Sequence, residues 1–195
     1  SGAHADMKFE DFILSTAAIT PFLREMAVTA YQSCFSLPAS PDATRETDAA
    51  LFSRLREIGK RAESEMYAAT GGVNTHKGAV FTLGLLSAGA GLFYAKNGKL
   101  SAETILDEVQ NLVGDTLELE LAELRAGAAG SAHGEAVLHR DGTGGVRSAA
   151  AKGFPLLRSV ALPLLRQYEA EERPSEASAL NVLLHLILHV SDTNV

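Results

Sequence analysis

Apolar residues recur along this chain at intervals of three and four and rarely at two, which is the period of helices and not of strands. A first helix is expected over roughly Phe9–Phe35, with Phe12, Ile13, Ala17, Phe22, Met26 and Ala30 turned inward. Pro21 falls inside it without the N–H that the helical ladder needs, and is expected to kink or split it. Leu37-Pro38-Ala39-Ser40-Pro41-Asp42 breaks the pattern. A second helix, about Thr44–Ala69, sets Leu51, Leu55, Ile58, Ala62 and Met66 on one face and Arg54, Glu57, Arg61 and Glu65 on the other.

From Gly78 to Ala95 there is no charged residue. That run is at the short edge of the ~17–25 residues a membrane helix requires. It carries Gly84, Gly89 and Gly91 together with Thr82 and Ser87, and no second apolar run accompanies it. It reads as a buried central helix whose small residues let neighbours come close, with no membrane involved. After the turn Lys96-Asn97-Gly98-Lys99, Ser101 is placed to cap a helix bearing Ile105, Val109, Leu112, Val113, Leu117, Leu121 and Leu124. Leu156–Arg173 reads as a helix bent near Pro163. Ser175 is expected to cap the last helix, which runs through Leu180, Leu183, Leu184, Ile187 and Leu188. The pattern predicts an all-α fold: one domain over residues 1–195, a bundle of about seven helices around a buried central one.

Composition adds exclusions. The chain has 195 residues, 46% of them hydrophobic and 21% charged, which is a globular balance. Its formal net charge of −7 argues against a general nucleic-acid binder, which needs a basic footprint. It leaves room for a phosphate ligand, since a few cations and backbone N–H groups act locally. A single cysteine, Cys34, excludes an internal disulfide and a cysteine zinc cluster, and fits a reducing, cytoplasmic setting. No secretory signal opens the chain at Ser1.

The most pointed chemistry lies between the second helix and the uncharged one, in Gly71-Gly72-Val73-Asn74-Thr75-His76-Lys77-Gly78. Glycines let backbone N–H groups turn toward a ligand, Lys77 adds a charge, and a long helix starts immediately after with its positive dipole end toward the loop. These features describe a phosphate cradle, though not a Walker A loop, whose spacing is absent. An ordinary glycine-rich connector is the alternative. Arg147, behind Gly144-Gly145, has the fork that fits a phosphate, or is a surface loop residue. His133-Gly134-Glu135 offers an imidazole and a carboxylate for acid–base work or a metal, or a plain helix start. His185, His189 and Asp192 share one helix face, as a metal triad would. Histidines in leucine-rich helices are, however, more commonly core residues. Asp192 and Asn194 suit a ligand or Mg²⁺ site. Gly2-Ala3-His4-Ala5-Asp6 taken alone is a loop and helix cap.

Taken in order, these segments resemble one family. Gly72-Val73-Asn74-Thr75-His76-Lys77-Gly78, followed by Phe81 and Gly84, is similar to the central signature of the triphosphoribosyl-dephospho-CoA synthases. Gly2-Ala3-His4 with Asp6-Met7 resembles their N-terminal segment. His133-Gly134-Glu135, Gly142-x-x-Gly145-x-Arg147 and Gly153-Phe154-Pro155 resemble the middle block, and Asp192-Thr193-Asn194 the C-terminal one. The family carries a Lys-Pro-Gly-Leu-Val-Asp-like segment before Gly-Ala-His and continues past Asp-Thr-Asn into Arg-Gly-Gly, so the chain is expected to be shortened at both ends. Ala149 stands where the family usually has an acid.

The resemblance implies an all-α transferase. In that reaction the ribose 2′-hydroxyl of 3′-dephospho-CoA attacks C1 of the ATP ribose and adenine leaves. The product serves citrate lyase or malonate decarboxylase through their acyl carrier protein, with a downstream carrier-protein transferase as a further partner. The resemblance also implies residue roles. Asn74, His76 and Lys77 would hold the triphosphate within a frame of Gly72, Thr75 and Gly78, with Arg147 as a second clamp and His4 and Asn194 as further substrate contacts. Glu135 would be the general base, His133 its orienter or the acid for adenine, and His76 a further catalytic candidate. Asp6 and Asp192 would hold Mg²⁺, which places both chain ends beside the loop. Two other readings stay open: a non-catalytic nucleotide-binding helical module, and a metal-dependent hydrolase built on His185, His189 and Asp192.

Overall fold

The computed structural model describes residues 7–35, 41–125 and 145–189. Every regular element among them is helical: α1 (Phe9–Ser33), α2 (Pro41–Ala69), α3 (Lys77–Asn97), α4 (Ala102–Arg125), α5 (Gly145–Ala151), a π-helical turn (Leu157–Ala161), α6 (Leu162–Ala170) and α7 (Ser175–Ile187). The all-α expectation holds. The chain divides into two compact units, Ser1–Val113 and Gly114–Val195, with the boundary inside α4.

In the first unit α1 packs along both α2 and α3. The stripe expected on α2 is the buried one, Leu51, Leu55, Ile58, Ala62 and Met66, with Phe52 joining it. Ile19, Ala62, Met66 and Val80 form the cluster where the three helices meet, with Phe22 and Tyr67 packed against it. Helix α3 buries Val80, Gly84, Leu85, Ala88, Gly89, Gly91, Leu92 and Phe93, more than any other helix among the described residues. Its glycines account for that. A Cβ on Gly91 would stand 2.1 Å from the Ala27 carbonyl oxygen of α1, and one on Gly89 would stand 2.8 Å from the Ile105 carbonyl oxygen of α4. The stretch Gly78–Asn97 is long and apolar enough to cross a membrane by length and composition. Here it is the core helix against which α1 and α4 lie.

Of the kink or split expected at Pro21, the split does not occur: α1 runs unbroken through it, and Pro21 and Ala17, whose carbonyl loses its donor, both lie on the exposed side where water can serve. Phe12, Ile13 and Ala17, expected inward, face outward, while Met26 and Ala30 are buried as expected, in a stripe with Ser15, Ile19 and Ser33. At its start the stripe carries Ser15, whose polar contact is described below.

At the C-terminal end of α3, Lys96 Nζ lies 2.6 and 2.8 Å from the two carboxylate oxygens of Glu108. Asp48 on α2 shares this neighbourhood. Burial pushes its carboxyl above the usual range, Lys96 pulls it down and Glu108 raises it again. Burial likewise raises the Cys34 thiol, which makes it a poor nucleophile. A carboxyl raised in the fold binds more protons there than in the unfolded chain, so the penalty on stability is present at neutral pH and fades as pH falls through the folded value. Asp48→Asn is therefore expected to raise the melting temperature by about 2 °C near pH ~7, a screened, partly exposed group being worth little more. The gain should shrink toward pH ~4. Thermal melts at both pH values check this.

In the second unit Ala161, Tyr168 and Val182 form a core, with Leu157, Leu164, Leu165 and Leu186 packed on it. The bend expected near Pro163 is a π-helical turn, in which the N–H of Leu162 reaches the carbonyl of Leu157 just ahead of the proline. Pro174, not Ser175, occupies the cap position of α7. Leu180, Leu183, Leu184, Ile187 and Leu188 are exposed, while Ser178 and Val182 are buried. Helix α7 is apolar around most of its circumference, so periodicity alone does not select the inward face. His185 and His189 are exposed rather than in the core, being off the face that carries Val182 and Leu186. Gly153 and Phe154 both have positive φ, 65° and 53°. The Phe154 N–H bonds the Ala149 carbonyl at 2.7 Å as α5 closes.

Candidate functional site

The loop between α2 and α3 is built by a glycine-dependent stop. Gly71 has φ 65° and Gly72 φ 97°. The N–H of Gly72 bonds the Tyr67 carbonyl at 2.8 Å, which is the six-to-one bond of a Schellman end. Side chains with a Cβ rarely adopt either φ, so both glycines are required by the turn itself. Thr70, buried, then fastens the loop: its hydroxyl lies 2.9 Å from the Met66 carbonyl oxygen and 2.7 Å from that of Val73.

His76 is the last residue before α3. Its carbonyl accepts the N–H of Val80 at 2.8 Å, the first bond of the helix. Its own N–H points to the Met66 sulfur at 3.1 Å. By helix geometry the N–H groups of Lys77, Gly78 and Ala79 have no intrahelical acceptor, and the helix dipole adds about half a positive charge at that end. No acidic residue lies between Glu65 and Glu103, so no carboxylate of the segment competes for these donors. The first turn of α3 is free of acids accordingly. A Cβ at Gly78 would meet nothing within 4 Å, so the helix start is open on that side.

The imidazole of His76 is half-buried against α1. Its Nδ1 lies 2.6 Å from the Ser15 hydroxyl, and the Phe12 ring meets it edge-on with centroids 5.5 Å apart. Ser15 is fully buried. Sequence reasoning passed it over, because a serine in an apolar helix carries no local sign of a partner 61 residues away.

Of the residues singled out from the sequence, Gly72, Asn74, Thr75, His76, Lys77 and Gly78 are assembled at this helix start. Asn74 is exposed. The Thr75 hydroxyl is closed from the surface without a hydrogen-bond partner among the described residues, so the loop must shift for it to touch a ligand. Arg147 is exposed on α5, in the second unit. His4, Asp6, His133, Glu135, Asp192 and Asn194 lie outside the described residues. The described residues contain no group of three His, Cys, Asp or Glu side chains that could hold a metal ion. His189 Nδ1 is 2.7 Å from the His185 carbonyl oxygen, so that ring edge is already engaged along α7.

The described residues thus define an all-α protein in which an acid-free glycine loop opens onto the N-terminus of a long core helix. Comparison with known families narrows that class. The whole chain, residues 1–195, matches the model of the ATP:dephospho-CoA triphosphoribosyl transferase family, and the chain belongs to that family. Over all 195 residues it is 36% identical to a 2-(5''-triphosphoribosyl)-3'-dephosphocoenzyme-A synthase of Escherichia fergusonii and 33% identical to one of Klebsiella pneumoniae. It is 37% identical to a probable synthase of the same name from Pectobacterium carotovorum. The chain spans 61% of the length of the first two relatives and 60% of the third. No solved structure matches it significantly.

Proposed function

We propose that this chain carries the transferase activity of its family: the 2′-hydroxyl of 3′-dephospho-CoA attacks C1 of the ATP ribose, adenine departs, and the triphosphate stays attached to the transferred ribose. The observation that carries the reading is the family match along residues 1–195, which takes in the loop at the start of α3. The demands of the reaction support it. The triphosphate is held and not cleaved, so it calls for fixed donors and positive charge rather than a nucleophile. The segment Asn74-Thr75-His76-Lys77-Gly78 at a helix N-terminus is of that kind. Displacement at an anomeric carbon develops oxocarbenium-like charge and calls for a base at the attacking hydroxyl and a donor at the leaving adenine.

On this reading Arg147 is a second phosphate clamp, Glu135 the base, and His133 its orienter or the acid for adenine. His4 and Asn194 are further substrate contacts. Mg²⁺ would arrive with ATP and take Asp6 and Asp192 as its protein ligands; it would neutralise part of the triphosphate charge. The reaction belongs in the cytoplasm, where both substrates are made, and its product would serve citrate lyase or malonate decarboxylase.

The test is to incubate the chain with ATP, Mg²⁺ and dephospho-CoA and separate the products by chromatography. Free adenine is expected in equal amount to a CoA-derived product whose mass has grown by the triphosphoribosyl group. ATP binding with no adenine released would replace the transferase reading with that of a nucleotide-binding module.

A further inference from the structure

We propose that Ser15 is the positioning residue of the site: it locks the neutral His76 ring in the tautomer that keeps its proton on Nε2, so that His76 serves the triphosphate as a hydrogen-bond donor and not as a base. The inference rests on the phosphate-binding reading of the loop and goes beyond it by fixing which side of the proton exchange His76 is on.

The direction of the bond is inferred from the two contacts of the Ser15 hydroxyl. The Ser15 hydroxyl has one proton and two oxygens or nitrogens within reach, Nδ1 of His76 at 2.6 Å and the Phe12 carbonyl oxygen at 3.2 Å. That carbonyl is already supplied. It accepts the Thr16 hydroxyl at 2.7 Å, and as a helical carbonyl it also takes the Thr16 N–H one turn on. Its two lone pairs are filled, and the contact with Ser15 is the longer of the two. The Ser15 proton therefore goes to Nδ1. A neutral imidazole whose Nδ1 accepts must carry its hydrogen on Nε2.

The surroundings of the ring keep Nδ1, and not Nε2, on the Ser15 side. Ser15 is fully buried on α1, the Phe12 ring closes one side edge-on, and the His76 backbone is held at both ends, by the Met66 sulfur and by Val80. Nε2, on the ring edge opposite Nδ1, is turned away from Ser15 and has no protein partner among the described residues. An Nε2–H there belongs to the same class of group as the backbone N–H groups of Lys77 and Gly78. All three are donors, as an anion with several oxygens requires. A base at this position would instead set a lone pair against phosphate oxygens.

The experiment is long-range ¹H–¹⁵N correlation of the histidine rings in the full chain, at pH ~8.5 where an ordinary imidazole is neutral. The expected His76 pattern has Nδ1 in the unprotonated range and Nε2 in the protonated range. A protonated Nδ1 in the unmodified protein overturns the proposal, and this arm needs no variant. In Ser15→Ala the lock is gone and the two nitrogens should move toward the averaged values of a free ring; an unchanged pattern in a folded variant also overturns it. ATP affinity in Ser15→Ala should fall about three- to tenfold, the effect of one neutral hydrogen bond. Addition of ATP to the unmodified protein separates this inference from the reading beneath it. If ATP binds and leaves the Nε2 signal untouched, the loop is not the phosphate site, whatever the tautomer. If Nε2 responds to ATP but Nδ1 carries the proton, the site stands and Ser15 does not position it.

Discussion

Gly91→Ala is expected to lose about 3 kcal/mol of stability and lower the melting temperature of the chain by roughly 6–12 °C. The new methyl carbon would stand 2.1 Å from the Ala27 carbonyl oxygen, 3.0 Å from the Ala27 carbonyl carbon and 3.1 Å from the Tyr31 backbone nitrogen. All three are backbone atoms of α1, so no side-chain rotation relieves the clash and the two helices must part along their contact. Separation opens voids beside Met26 and Ala30, and the lost contacts add to the strain. Two other glycines of the same helix calibrate the result. At Gly84 the methyl carbon meets the Met26 sulfur at 2.5 Å, the end of a flexible side chain, so Gly84→Ala should lose only about 1 kcal/mol. At Gly78 nothing lies within 4 Å, and alanine there should be neutral or slightly stabilising through helix propensity. Thermal melts of the three variants check the order. A Gly91→Ala protein as stable as Gly78→Ala would mean that α1 and α3 do not touch where described.

Much of the fold was legible because burial and period coincide. On α2 the residues spaced three and four apart, Leu51, Leu55, Ile58, Ala62 and Met66, are the buried ones, since that helix has one apolar stripe and a charged back. The uncharged glycine-bearing run declared α3 as the core helix for a similar reason: only close backbone approach makes use of glycine at that density. Legibility ends where a helix is apolar on more than one side or where a polar pair decides. On α7 four apolar residues at helical spacing, Leu180, Leu183, Leu184 and Ile187, are exposed, as is Leu188 just after it. On α1 the buried stripe includes Ser15, whose partner His76 is 61 residues away in sequence, past α2. In the candidate site the loop announced itself through Gly71, Gly72 and Lys77, each a local signal. The bond that orients His76 depends on tertiary packing and has no counterpart in the spacing of residues.

Calorimetric titration of Lys77→Ala decides whether the start of α3 holds the triphosphate of ATP, as proposed above. Lys77 is the first residue of a 21-residue helix, the end at which the helix dipole is positive and the first-turn N–H groups lack an intrahelical acceptor. Alanine there favours the helix, so the fold should persist, as circular dichroism would verify. A charge-assisted phosphate contact is worth about 1.5–3 kcal/mol, which converts to a loss of roughly ten- to a hundredfold in ATP affinity. Dephospho-CoA, titrated separately, should lose no more than about threefold, because the loop is assigned to the other substrate. A triphosphate site at the start of α3 requires that split between the two ligands. Equal losses for both, or undiminished ATP binding, would contradict it.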